Sequence, residues 1–237
     1  SYREGVWAAE GNGKVYCLTS GGIVVLNKSD NSVDYLSKTN GLSNIEPVVT
    51  GFNSFNNKLF VAYANSDIDI VESDNSIVNM VELKQKFVMG SKTINQVYFI
   101  NQNAYVATAL GILVIDMDKY VVKETYVIGD SGTTLNVRAI TSDNSYLYAA
   151  TDSGVYQASL SSINLADYAS WSKMPGLPNG LYNCIVQQFG KVYTNYSKWL
   201  KEGVENKDSV FVYHAGVWSD AGINNKTIYS ITAGDNK

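Results

Sequence analysis

The chain repeats itself. Five stretches, "KVYCLTSGGIVVL" (14–26), "KLFVAYANSDIDIV" (58–71), "AYVATALGILVI" (104–115), "YLYAATDSGVYQA" (146–158) and "KVYTNYS" (191–197), align on the aromatics Tyr16, Phe60, Tyr105, Tyr148 and Tyr193. Those aromatics are separated by 44, 45, 43 and 45 residues. A period of that length, held over five copies, makes each copy one supersecondary unit that buries its apolar surface only by stacking on its neighbours.

Each copy holds more than one hairpin. Six residues after the aromatic come Gly22, Gly111 and Gly154, with Ser66 and Trp199 at the same place in the other two copies. A tight turn asks for positive φ there. Eight residues before the aromatic come Ala8, Phe52, Val97, Ile140 and Ile185, each inside another strand-like run, and a fourth run follows at 32–37, 76–83, 121–128, 169–174 and 216–221. The unit is thus a four-stranded antiparallel meander. Four strands per 43 to 45 residues predict an all-β fold, a β-propeller. Five complete blades are expected at about 5–37, 46–83, 94–128, 137–174 and 182–221, with the start of a sixth at 227–234. They form a single domain over 1–237, as a whole ring or as part of a larger one. Stacked blades are buried on both faces, so polar-out alternation fades and small residues such as Ala149 and Ala150 accompany one large filler, Tyr148. The chain has no Trp-Asp dipeptide and one Gly-Gly pair, Gly21-Gly22, so it carries neither the WD40 nor the kelch signature.

Composition narrows the partners. Seventeen tyrosines against three prolines suit strands, while a net charge of −4 argues against nucleic acid or an anionic membrane as the partner. Apolar runs such as Ile23–Leu26 and Val97–Ile100 fall far short of the ~20 residues a transmembrane helix needs, so no such segment is expected. Cys17 and Cys184 are too few for a disulfide framework, and each lies in a strand-like run, where a buried free thiol is the expectation.

The segment "LSKTNGLSNIEPVVTGFNSFNNKLFVAYANSDIDIV" (36–71), with its Asn-Gly-Leu-Ser turn ahead of an inner strand, resembles the two-component-regulator propeller repeat of Bacteroidetes. Further on, "KTINQVYFINQNAYVATALGILVIDMDKYVVKETYVIG" (92–129) and "NLADYASWSKMPGLPNGLYNCIV" (164–186), together with "YANSDIDIV" (63–71), resemble the N-terminal propeller of PorZ-type proteins. Those are accessory components of the type IX secretion system. The resemblance implies an exported chain at the outer-membrane surface or in the periplasm, one part of a longer protein. It implies a non-catalytic scaffold that needs no cofactor and acts with other secretion-system proteins, above all the sortase that attaches cargo to anionic lipopolysaccharide. The alternative it leaves open is a glycan-sensing propeller of a two-component-like regulator. The ligand cannot be carried over residue by residue.

A search for chemistry agrees with a non-enzyme. His214 is the sole histidine, so neither a His cluster for a metal nor a nucleophile with its base can be assembled. The pairs Asp67/Asp69 and Asp116/Asp118 share a strand face by spacing and could grip a hard cation, but no Gly-punctuated, oxygen-rich loop accompanies them. Three copies of "SDNS", at 29–32, 73–76 and 142–145, read as hairpin turns.

One segment breaks the period. The fifth copy inserts "NYSKWLKEGVENKDS" (195–209) between its middle strands, where the others turn within a few residues. Long loops that mix aromatics with charge are where binding concentrates. The candidate contact surface is Tyr196, Trp199 and Lys201, with Tyr182 and Lys92 expected on the same rim, facing a partner protein or an anionic glycan.

Overall fold

The structure, a computed structural model, describes residues 5–85, 90–198 and 207–234. These residues form five four-stranded sheets, each a meander whose neighbours follow sequence order. The first holds β1 (Gly5–Gly11), β2 (Lys14–Thr19), β3 (Gly22–Asn27) and β4 (Val33–Leu36); the second β5 (Pro47–Asn53), β6 (Lys58–Tyr63), β7 (Ile68–Val71) and β8 (Ile77–Met80). The third holds β9 (Ile94–Ile100), β10 (Asn103–Thr108), β11 (Gly111–Asp116) and β12 (Val121–Tyr126); the fourth β13 (Val137–Ser142), β14 (Tyr146–Thr151), β15 (Gly154–Ser159) and β16 (Trp171–Lys173). The fifth is β17 (Ile185–Gln188), β18 (Lys191–Tyr196), β19 (Asp208–His214) and β20 (Val217–Lys226). Helix among the described residues is limited to single turns, such as α1 (Glu82–Gln85). The fold is all-β, a β-propeller built of four-stranded antiparallel blades.

The repeated glycine has a second reason besides the turn. Gly22, Gly111 and Gly154 have φ of 142°, 117° and 142°, and Ser66, at the same place in the second copy, has φ of 66°. A Cβ on Gly22 would lie 2.3 Å from the Leu36 carbonyl oxygen, and one on Gly111 would lie 2.2 Å from that of Tyr126. The fourth strand therefore passes directly over the hairpin that joins the second and third, which only glycine permits. In two copies a threonine closes the same turn, with Thr19 Oγ1 donating to Gly22 O at 3.0 Å and Thr151 Oγ1 to Gly154 O at 2.8 Å. Gly154 is itself buried, under the Lys173 side chain, rather than in an exposed loop.

The chain divides into two compact units, Ser1–Ala109 with Leu113–Thr125, and Leu110–Ile112 with Tyr126–Lys237. In the first unit, Tyr16, Leu18, Ile23 and Val25 of the first sheet pack on Leu59, Val61, Tyr63 and Val71 of the second, and the Tyr16 and Phe52 rings stack 5.9 Å apart. The first strands β1, β5 and β9 lie side by side in order. Every residue of β6 and β11 is buried, as expected of strands covered on both faces. Asn53 Nδ2 donates to Asn101 O at 2.8 Å, tying β5 to the turn after β9. Lys58, 7 % exposed, donates to Met117 O at 2.9 Å and to Tyr120 Oη at 3.0 Å, and lies 3.2 Å from Glu72. Burial alone would depress its ammonium, but the Tyr120 and Glu72 partners outweigh that and hold it above the usual lysine range.

In the second unit, Tyr148, Ala150 and Val155 pack with Tyr182, Ile185, Val192 and Trp218, so the fourth and fifth sheets meet on an aromatic layer. Gln187 N donates to Thr141 Oγ1 at 3.1 Å, joining β17 to β13. The expected strand at 227–234 pairs in no ladder, because β20 runs on to Lys226. Its described bonds run to the start of β19 and the end of β17: Ile228 N donates to Asp208 Oδ2 at 2.8 Å, and Gly234 exchanges hydrogen bonds with the Gln188 side chain through both its N–H and its carbonyl.

Two substitutions test this account. Tyr148→Ala removes a side chain that is 2 % exposed, and urea unfolding is expected to show a loss of about 3–5 kcal/mol. Gly111→Ala drives a Cβ into the Tyr126 carbonyl at a backbone angle that L residues avoid, with an expected loss of about 1–3 kcal/mol or more. An unchanged unfolding midpoint in either variant would contradict the packing described.

Candidate functional site

The insertion in the fifth sheet springs from a rigid base. Tyr196 and Ser209 face each other across the β18–β19 ladder, so the loop leaves and re-enters at paired residues. Asn195, fully buried, accepts at Oδ1 from the backbone N–H of Asn183 and Cys184, both at 3.0 Å, and from Cys184 Sγ at 3.1 Å. One asparagine thereby fixes the approach to β17. Ser197 N donates to Leu181 O at 2.8 Å, which clamps the loop 174–181 against the start of the insertion.

Tyr182 and Tyr196 are brought together, with ring centroids 5.6 Å apart and planes tilted by 46°. Tyr182 has no exposed surface; its hydroxyl donates to Pro178 O at 2.6 Å and its N–H to Thr151 O at 3.0 Å. Burial holds its phenol above the usual tyrosine range. It therefore supports the loop from below and offers no ring to a partner, whereas Tyr196 is half-buried beside Gly180. Trp199 and Lys201 lie outside the described residues.

Polar groups surround the turn between β14 and β15. Arg138 makes a two-pronged ion pair with Asp152, at 2.6 and 3.2 Å, and Asn136 Nδ2 donates to the same carboxylate at 3.0 Å. Lys173 Nζ donates to Asn179 Oδ1 at 2.8 Å. An exposed pair of this kind adds little stability, about 0–1 kcal/mol, but it sets charged groups of both signs on the surface beside the loop 174–181.

Lys92 belongs to the other compact unit, beside the corresponding turn of the second sheet. Its Nζ donates to Lys84 O at 2.6 Å, and its carbonyl accepts from Ser66 Oγ at 2.9 Å. Lys84 in turn reaches Asp67 Oδ2 at 2.9 Å. This leads to a buried node at Asp67 and Asp69, the pair whose spacing marks it as a candidate cation grip. Asp69 accepts from Ser43 N at 2.8 Å, Tyr63 Oη at 2.5 Å and Asn79 Nδ2 at 2.9 Å; Asp67 accepts from Asn44 Nδ2 at 2.6 Å and Asn79 Nδ2 at 3.1 Å. Ser43 closes the Asn-Gly-Leu-Ser turn and Asn44 follows it, while Tyr63 and Asn79 belong to β6 and β8, so the two aspartates act as acceptors that pin that turn to the second sheet. Burial, then Asp69, keeps the Tyr63 phenol far above its ordinary range. Asp116 and Asp118 do not act as a pair: Asp116 Oδ1 accepts the N–H of Asp118 and Lys119, both at 3.1 Å, while Asp118 turns to Asn56 at 3.0 Å. A single local signal for the first node is the close spacing of Asp67 and Asp69 within an otherwise apolar strand.

His214 is exposed, as expected of a hairpin residue. Both cysteines are free; Cys184 is buried, but Cys17 is only half-buried because it lies on the opposite face of β2 from Tyr16 and Leu18. Among the described residues no cluster of three or more His, Cys, Asp or Glu is placed to hold a metal, and no helix is long and apolar enough to cross a membrane.

Four-stranded blades with their polar chemistry gathered at the turns place the chain among the β-propellers. Residues 15–172 match the family described as TSS9, PorZ, N-terminal beta-propeller domain, and the chain belongs to that family. No curated protein sequence matches it. Among solved structures, it is similar to PorZ of Porphyromonas gingivalis, described as an essential bacterial surface component of the type-IX secretion system, with a TM-score of 0.80 and 19% identity over 96% of this chain. It is also similar to the extracellular domain of a putative hybrid two-component system from B. thetaiotaomicron, with a TM-score of 0.70 and 13% identity over 98% of this chain. The chain spans only 29% of the first of these proteins and 31% of the second. Identities this low establish a shared fold.

The thiols give a direct test. Burial pushes Cys184 up to about 11, so in the native protein at pH 8 a thiol reagent is expected to label Cys17 first and Cys184 only on unfolding. Because the folded-state value is raised, the stabilisation is complete below about pH 9 and is lost as pH climbs toward 11. Thermal melts should fall across that window, and Cys184→Ala should reduce the fall. Equal and fast labelling of both thiols in the native protein would contradict the burial of Cys184.

Proposed function

We propose that the chain is a non-catalytic interaction module of an exported surface component of a type IX secretion system, acting with sortase-like partners in cargo attachment. The observation that carries this reading is the match of residues 15–172 to the PorZ N-terminal propeller family. Its contact surface is the edge of the fifth sheet: Tyr196, Trp199 and Lys201, with Tyr182 as the support beneath. The anchoring of that edge supports the reading, since Asn195 and the Leu181–Ser197 bridge order the loop base before any partner arrives and lower the entropic cost of binding. The partner is a secretion-system protein or the anionic glycan of lipopolysaccharide. A second reading, a glycan-sensing propeller of a two-component-like regulator, has behind it the fold shared with the B. thetaiotaomicron domain.

The test replaces residues 198–207 by a four-residue turn in the full-length parent and crosslinks it in the native cell envelope. The expected result is loss of crosslinks to identified secretion-system proteins, with cargo attachment reduced, while the domain's melting temperature stays within a few degrees. Retention of the same crosslinks by a folded variant would move the contact surface elsewhere. Crosslinks to the histidine-kinase part of the parent itself would favour the regulator reading.

A further inference from the structure

The three "SDNS" turns are identical in sequence but not in place: 29–32 and 73–76 each lead from the third strand of a sheet to the fourth, whereas 142–145 leads from the first strand, β13, to the second, β14. In each, the aspartate Oδ1 accepts the N–H two residues on: Ser32 to Asp30 at 2.9 Å, Ser76 to Asp74 at 2.9 Å and Ser145 to Asp143 at 2.7 Å. Asp30 and Asp74 are solvent-facing turn caps, each held below the usual carboxylate range by its bonds with Ser32 or Ser76. Asp143 does more. It also accepts from Tyr146 N at 2.7 Å and, through Oδ2, from the hydroxyl of Tyr148 at 2.8 Å. Three donors fix this carboxylate at the end of the aromatic layer between the fourth and fifth sheets.

A cleft of about 280 Å³ opens there. Its walls include Asp143, Tyr146, Gln157, Tyr213 and His214, and no lysine or arginine lines it. Tyr146 is 40 % exposed, its ring 6.2 Å from that of Tyr148 and tilted by 47°; Tyr213 is held 5.1 Å from Trp218. The lip carries a further irregularity. Phe189, beside the lining residue Gly190, is 67 % exposed with φ of 50°, an apolar side chain in a backbone region that L residues enter reluctantly.

We propose that this cleft is a docking pocket for one cationic side chain, an arginine or lysine, of a protein partner. Tilted aromatic rings around a fixed carboxylate favour a cation: the ring faces attract it through their quadrupole, and Asp143 supplies the counter-charge. No lysine or arginine in the lining is there to neutralise an anion, His214 being its one basic group, and a chain of net charge −4 steers basic partners toward it. The apolar stem of such a side chain would rest on the exposed Tyr146 ring. This pocket gathers at the turns before β14 and before β18, whereas the edge proposed above gathers at the insertion after β18, so the two stand or fall separately.

The experiment titrates the intact chain with N-acetyl-arginine amide and with its neutral isostere, N-acetyl-citrulline amide, and reads the backbone and ring NMR signals of Tyr146, Tyr213 and His214. Saturable shifts with the arginine compound, at least fivefold weaker with the citrulline compound, are expected. Asp143→Asn keeps an acceptor for the Ser145 and Tyr146 N–H groups and should weaken binding about tenfold. Tyr146→Ala, at an exposed ring, should weaken it several-fold without unfolding the domain. Equal response to both compounds, shifts mapping elsewhere, or an undiminished response in folded Asp143→Asn overturns the proposal. So does saturable binding of a neutral oligosaccharide in the cleft with no response to the arginine compound.

Discussion

Burial of a sheet on both of its faces is the constraint from which most of this structure follows. A strand covered on one side can alternate polar and apolar residues; a strand covered on both cannot, and β6 and β11 have no exposed position. Two consequences reach the sequence. Space between sheets is filled by large rings such as Tyr63 and Tyr148 beside residues as small as Ala62, Ala149 and Ala150. The four strands of one sheet must also stay close at their ends, which is where Gly22 and Gly111 let the fourth strand's carbonyl approach to within contact distance. Strands β1 and β4 obey the constraint least, with Val6, Val33 and Tyr35 about half exposed.

Polar groups inside such a fold survive only by being paired, and the pairs sit where the chain changes direction. Asp69, fully buried, is tolerated because Ser43, Tyr63 and Asn79 satisfy it. Lys58 is tolerated because a carbonyl, a phenol and a carboxylate surround it. Asn195 is tolerated because two backbone N–H groups and a thiol converge on its oxygen. Each node joins a strand to a turn distant in sequence, so each converts a loop into a fixed part of the scaffold. The surface chemistry at the Arg138–Asp152 pair and at the base of the insertion rests on loops stiffened in this way.

The repeat made the fold legible. An aromatic every 43 to 45 residues located β2, β6, β10, β14 and β18, and the glycine six residues on marked the first residue of β3, β11 and β15. The nodes were legible only in the spacing of Asp67 and Asp69, for a physical reason: Ser43 lies 26 residues from Asp69 and Met117 lies 59 from Lys58, and local periodicity carries no trace of such distances. Tyr182 was expected on the rim beside the insertion, yet its ring fills the gap between two sheets and only its hydroxyl reaches the loop. Cys17 was expected inside and is half-buried, because strand periodicity shows that two faces exist without showing how fully each is covered.

One turn sequence can serve two different places in a repeat, and the "SDNS" turns show how. The aspartate's bond to the N–H two residues on suffices to make the turn, and all three copies have it. Once the turn is secured, the second carboxylate oxygen is free of structural duty. At 142–145, the one of the three that leads from the first strand of a sheet to the second, it receives the hydroxyl of Tyr148, the same ring that fills the core of its blade. Core packing thus orients a charged group at the surface with no additional framework, and loss of that ring would disturb the turn chemistry along with the stability. Where a filler tyrosine stands beside a turn aspartate, a structural repeat becomes a site.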